Sequence, residues 1–288
     1  MQKAAAILLL TLSLLCRHSL QAQSFFTGEE YGFAVGGSQY FGDLNDNYGF
    51  YFVRPAGGVF ARIHLSPYVA TRFTANYTKV GYNDAFSSNS YNKKRNLNFQ
   101  SDIVEVAFQT EFNFMRFTTG ELHSRFTPYI TLGVGAFYYN PYTTYNGVRY
   151  NLKQVGTEGQ YVGYEGRIYS NFNICFPLGI GVKYWVVPGV NVGFEIAHRL
   201  TLTDYLDDVS TTYVDRKLFE GADPSNPPVA YYLQDRSTEK GGDPLGRDGK
   251  QRGNSATKDQ YMMFMFNLSF QFKTYKCPAY LKDGYFMY

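Results

Sequence analysis

Apolar and polar residues alternate with a period of two along most of this chain, and that pattern limits its fold more than any motif does. Successive side chains of a strand point to opposite faces, whereas a helix repeats every 3.6 residues, so period two calls for strands. Across residues 261–272, Phe264, Phe266, Leu268, Phe270 and Phe272 share one face, with Met265, Asn267, Ser269 and Gln271 on the other. Residues 102–114 set Val104, Val106, Phe108, Phe112 and Phe114 against Glu105, Gln109, Glu111 and Asn113. Residues 190–200 set Val192, Phe194 and Ile196 against Asn191, Glu195 and Arg199. The same reading gives eight strands near 29–41, 55–65, 68–82, 99–115, 126–140, 171–186, 190–202 and 260–273.

The links between these strands alternate in length. After the second, fourth and sixth strands the chain turns at Ser66-Pro67, across 116–125 and at Val187-Pro188-Gly189; after the first, third, fifth and seventh the links run over about 42–54, 83–98, 141–170 and 203–259. That parity is the mark of an up-and-down barrel in an outer membrane, with short periplasmic turns and long outer loops. The expected fold is therefore all-β: an eight-stranded, up-and-down antiparallel transmembrane β-barrel over residues 23–273. Its last outer loop, 203–259, holds Pro224, Pro227, Pro228, Pro244 and Gly241-Gly242, and its polarity predicts a mobile segment.

In a membrane the apolar face of each strand meets lipid and the polar face lines the interior. The polar faces carry Arg62, Arg72, Glu105, Glu111, Lys183, Glu195 and Arg199, which a soluble core would not accommodate. Eight strands leave an interior just filled by side chains, so these seven are expected to pair as a lumen network and leave no wide pore. Tyr129, Tyr138, Tyr139, Tyr142, Tyr261 and Phe270 lie near strand ends and read as interfacial girdles.

Residues 1–22 read as a signal peptide, with Lys3 ahead of an apolar run over 7–15 and Gln21-Ala22 before Gln23. Nine residues are too few for a spanning helix, which needs ~20. Removing them leaves 25 basic side chains against 24 acidic ones, since Lys3 and Arg17 go with the leader. That balance gives no electrostatic case for nucleic acid. The chain is 18% aromatic and 18% charged, which excludes disorder and disfavours a helical bundle.

No catalytic constellation is visible. His64, His123 and His198 lie at no metal-ligand spacing, no nucleophile elbow or phosphate-binding glycine loop occurs, and no cofactor is expected. Asp43, Asp204, Asp207 and Asp208 follow the first and seventh strands, where hard oxygen ligands could hold calcium or simply make turns. Of the exported cysteines, Cys175 lies early in the sixth strand and Cys277 lies in the tail 274–288. A bilayer core of ~30 Å separates those levels, while a disulfide needs α-carbons within ~7 Å, so the two cannot pair. Cys277 is then a candidate for an intermolecular disulfide.

Several segments resemble the PorG-like barrel proteins of the type IX secretion system. They are residues 36–44 (GGSQYFGDL), 95–99 with 101–105, 111–114, 127–130, 176–184, and Gly193-Phe194-Glu195 running into 203–210 (TDYLDDVS). The resemblance implies a non-enzymatic component of a protein-export machine, associated with a periplasmic ring of the PorK lipoprotein and PorN. Surfaces for such a partner would be the turn 116–125 and the tail, with Lys273, Lys276, Cys277 and Lys282. A small transport or binding barrel and a surface adhesin working through 203–259 are the alternatives.

Overall fold

The structure is a computed structural model that describes residues 29–45, 48–119, 122–220, 227–241 and 243–272. The leader, the tail and Cys277, Lys273, Lys276 and Lys282 lie outside the described residues. Among the described residues nine strands occur: β1 (Glu29–Phe41), β2 (Arg54–His64), β3 (Val69–Asn83), β4 (Asn98–Asn113), β5 (Phe126–Tyr145), β6 (Val148–Asn151), β7 (Phe172–Val187), β8 (Val190–Thr201) and β9 (Gln260–Phe272). All but β6 form one closed antiparallel ring, in which β4 pairs with β5, β5 with β7, and β9 returns to β1. The eight expected strands are all present, and β5 runs five residues past its expected end.

The register fixes the barrel's shape. From Glu29 the paired residues run through Ile63, Thr71, Thr110, Leu132, Leu178, His198 and Met262, and return to β1 at Gln39, ten residues along. Eight strands with that stagger tilt by roughly 40° and enclose only enough room for side chains.

The faces are inverted relative to a soluble protein. Outward positions carry Phe33, Val106, Phe108, Leu132, Leu178, Ile180 and Phe266, the last 64% exposed, while the polar inward residues are buried, with Glu30 and Glu111 at 0%. So wide an apolar belt on every side has no favourable contact with water; it is the surface of an outer-membrane barrel. No helix among the described residues is long and apolar enough to cross a membrane.

Strand parity corrects the aromatic girdle. Tyr138 and Phe270 do face outward, but Tyr129, Tyr139, Tyr142 and Tyr261 are buried. Ile130, Leu132 and Val134 point to lipid, which turns Tyr129 to the interior by alternation.

β6 was not expected. It folds back on the end of β5 through Asn146 and Gly147, both at positive φ (49° and 79°), the two-residue turn that matches strand twist. The last long loop also departs from expectation. Instead of hanging free, its described parts contain the helix Val229–Leu233 and bury Leu206, Val209, Tyr213, Val214, Phe219 and Leu233. Its neighbours are the other three long loops, and together they close that end of the barrel.

Candidate functional site

Two buried polar assemblies stand one above the other along the barrel axis. The lower lies in the lumen and gathers all seven charged residues of the polar faces, adding Glu30 and His64. Arg62 and Arg72 are cross-strand neighbours on β2 and β3, so their like charges need a counterion between them. Glu111 supplies it, 3.0 Å from Arg62, 3.2 Å from Arg72 and 2.9 Å from Lys183. Glu30 pairs with Arg62 and, at 2.7 Å, with His64. Glu195 pairs with Arg72 at 2.8 Å and accepts from the Tyr129 hydroxyl at 2.8 Å. Higher in the lumen, Glu105 pairs with Arg199 at 3.2 Å and accepts from Tyr261 at 2.6 Å and Asn76 at 2.9 Å. Four carboxylates thus face four strong cations within a wall of strands. Cys175 sits beside Glu105, fully buried, with Sγ 3.8 Å from the carboxylate.

Sequence reading missed Glu30 and His64. The signal for Glu30 was the outward set Tyr31, Phe33 and Val35, which by alternation sends residue 30 inward. At the short-turn end Phe117 is buried, with its ring over Lys183 (5.2 Å) and near His64 (6.2 Å).

The upper assembly is the cap built by the four long loops. Glu158, from the link after β6, accepts backbone N–H groups of Ser210 (2.9 Å) and Thr211 (3.1 Å) and pairs with Arg252 at 3.1 Å. Arg252 in turn donates to the Asp208 carbonyl at 2.7 Å. Arg95, from the loop after β3, chelates Asp84 and donates to the carbonyls of Arg252 (2.9 Å) and Asp43 (3.1 Å). These two arginines and their carboxylates are all buried, so loops distant in sequence are held together by charge-assisted bonds away from water.

At the junction of cap and barrel, Tyr40 Oη lies 2.6 Å from Asp207 Oδ2 and 2.8 Å from Asp259 Oδ1. A hydroxyl carries one hydrogen, so contact with both carboxyls places a proton on one of them. The same conclusion follows from electrostatics. Burial, then the charges of Asp259 and Asp43, pushes Asp207 well above the carboxylate range, and burial, with the charges of Asp43 and Asp204, likewise raises Asp259. Burial lifts Asp204 to about 7, and Asp43 and Asp208 to about 6.

The aspartates considered as calcium ligands meet protein donors instead. Asp43 accepts from Asn254 N–H (2.8 Å), Asp204 from the Ser210 hydroxyl (2.6 Å), and Asp208 from Tyr169 (2.8 Å) and Thr157 (2.5 Å). Among the described residues no group of three or more histidines, cysteines or acids is placed to hold a metal. His198 is bonded to Gln260 and His64 to Glu30, while His123 lies in the 116–125 turn. Beside the cap opens a cavity of about 580 Å³, lined by the first, second and last long loops.

A family model described as a domain of unknown function (DUF6089) matches residues 5–219. No curated protein matches the chain. Among solved structures, Neisserial surface protein A is 9% identical, with 85% of this chain and 97% of that one covered and a TM-score of 0.41. The Yersinia pestis attachment invasion locus protein Ail, in complex with a heparin analogue, is 10% identical over 85% and 99%, with a TM-score of 0.39. OprG of Pseudomonas aeruginosa is 10% identical over 88% and 100%, with a TM-score of 0.36. Identities and scores of this size add nothing to the barrel that strand pairing already establishes.

Proposed function

We propose that this chain, which belongs to the DUF6089 family, is a non-enzymatic outer-membrane component of the type IX protein secretion machinery that anchors a periplasmic ring lipoprotein. The observation that carries the reading is a barrel filled along its axis by ion pairs, capped by the long loops at one end and with Phe117 over the ion pairs at the other. Such a body has little to offer as a conduit, and its working parts are its rims and tail. The short turns face the periplasm in this reading, as in other barrels of the class, which sets the tail with Cys277 on the side of the ring and the cap at the cell surface.

The motifs shared with PorG-like proteins acquire a physical role. Tyr40 joins the end of β1 to Asp207 and Asp259 at the last long loop, and Asp43 of the first loop accepts from Asn254 N–H of the last. Asp208 holds Thr157 and Tyr169 of the third loop, and Ser210 donates to Asp204 within the last. They serve the stability of the cap, while docking belongs to the opposite end.

The test is purification of the tagged protein from detergent-solubilised envelopes without reductant, comparing wild type with Cys277→Ser. A heavier, reducible species containing a periplasmic lipoprotein, lost in the variant, is the expected result. Recovery of the wild-type protein alone and unlinked, together with normal cargo secretion in a deletion strain, would overturn the reading and favour a surface adhesin.

A further inference from the structure

The cavity beside the cap shares Asp43, Arg95, Arg252 and Asn254 with the contacts that hold the loops together, and the rest of its lining has a chemistry of its own. At about 580 Å³ it is the size of a small-molecule site, for which ~300–1,000 Å³ is usual. Two of its lining residues, Arg95 and Arg252, are already committed to Asp84 and Glu158.

The first two long loops bring Tyr48 and Tyr91. The Tyr48 ring rests 4.7 Å from that of Phe41, on a backbone at φ 52°, a left-handed conformation uncommon for a tyrosine and held here against its cost. Tyr91 is fixed at its backbone by the Asn89 side chain, which accepts from Tyr91 N–H at 2.8 Å. The last long loop brings Lys250, Gln251, Asn254 and Lys258, all exposed. Among the described residues neither lysine forms an ion pair: Lys250 Nζ lies 5.0 Å from the Tyr91 ring, and Lys258 donates to the Ser255 carbonyl at 3.4 Å.

Phe41 lies against one side of the Tyr48 ring and the Lys250 ammonium over the Tyr91 ring; the remaining ring surface, the side-chain amides and ammonium groups without an ion pair match a sugar. The C–H face of a pyranose stacks on an aromatic ring, its hydroxyls meet amides, and an acidic substituent meets the lysines. Asp43, on the same lining, has one carboxylate oxygen on the Asn254 N–H; a carboxylate there accepts from a hydroxyl but repels a dense polyanion. We propose that this cavity binds an oligosaccharide bearing an acidic substituent, with Tyr48 and Tyr91 as stacking faces and Lys250 and Lys258 as its charge contacts. Whether the sugar belongs to a glycolipid of the same membrane or to a free glycan depends on the orientation proposed above; binding in solution does not.

The test is calorimetric titration of the full chain in detergent, using as probe the phosphorylated core oligosaccharide released from lipopolysaccharide, with its dephosphorylated form and maltotriose as controls. The expected result is saturable one-to-one binding, weakened at least tenfold by Lys250→Gln with Lys258→Gln and by Tyr48→Ala, with folding of each variant checked by gel mobility before and after heating. Absence of probe binding, binding indifferent to these substitutions, or equal affinity for the dephosphorylated form would overturn the proposal. Intact lipopolysaccharide in nanodiscs separates the sources. Tighter binding that remains sensitive to Lys250→Gln assigns the site to a glycolipid, equal affinity assigns it to a free glycan, and insensitivity to Lys250→Gln counts against the site altogether.

Discussion

Glu111 carries more than its share of the lumen, because three cations converge on one carboxylate that is wholly buried. Removing one partner of a buried pair leaves uncompensated charge and costs about 3–5 kcal/mol. Glu111→Ala should therefore lose at least that much in urea-induced unfolding from lipid vesicles, and a loss under 1 kcal/mol would contradict the network. Tyr40→Phe is a finer probe, since it deletes only the hydroxyl between Asp207 and Asp259. The expected cost of about 1–3 kcal/mol should fall on the cap alone, read as faster tryptic cleavage within 243–258 with unchanged unfolding of the barrel. Most of the lumen was legible in the sequence because a charge placed on alternate positions of an apolar strand has only one face to occupy. Glu30 was obscured by Glu29 beside it, where two adjacent acids blur the alternation. His64 was weighed only as a metal ligand, although it shares the buried face of β2 with Arg62, and its partner Glu30 stands on β1.

The strands announced themselves through period two, but the loops did not, because what orders them is non-local. Residues 203–259 look polar and proline-rich in isolation, yet Glu158 receives Ser210 and Thr211 from that loop, and Arg95 reaches the Arg252 carbonyl across 157 residues of chain. No window of sequence displays those pairings. The β6 hairpin could have been found, since Asn146-Gly147 is a strong turn signal.

The cap's acids also set its response to pH. Asp43, Asp204, Asp207, Asp208 and Asp259 all titrate above their ordinary values in the folded cap. The folded cap thus keeps protons that an unfolded loop releases above about pH 4. Stability contributed by these groups is present below that point and declines as pH rises through 6 and 7. Backbone amides of 203–219, corrected for intrinsic exchange, should be better protected at pH 5 than at pH 8. Equal or greater protection at pH 8 would show that the cluster is not proton-linked.

For the whole molecule, an interior of paired charges inside a lipid-facing shell predicts a thiol that no reagent reaches. Cys175 is buried against Glu105, so maleimide should label it only after unfolding. Prompt labelling of Cys175 in the Cys277→Ser protein would mean that the wall opens. The central claim is that the barrel is closed along its axis and works through its rims. Planar-bilayer recording of the purified wild-type protein tests this most directly. No steady conductance above the bare membrane is expected, whereas reproducible single-channel steps that deletion of 203–259 enlarges would contradict the sealed barrel and favour a transport role.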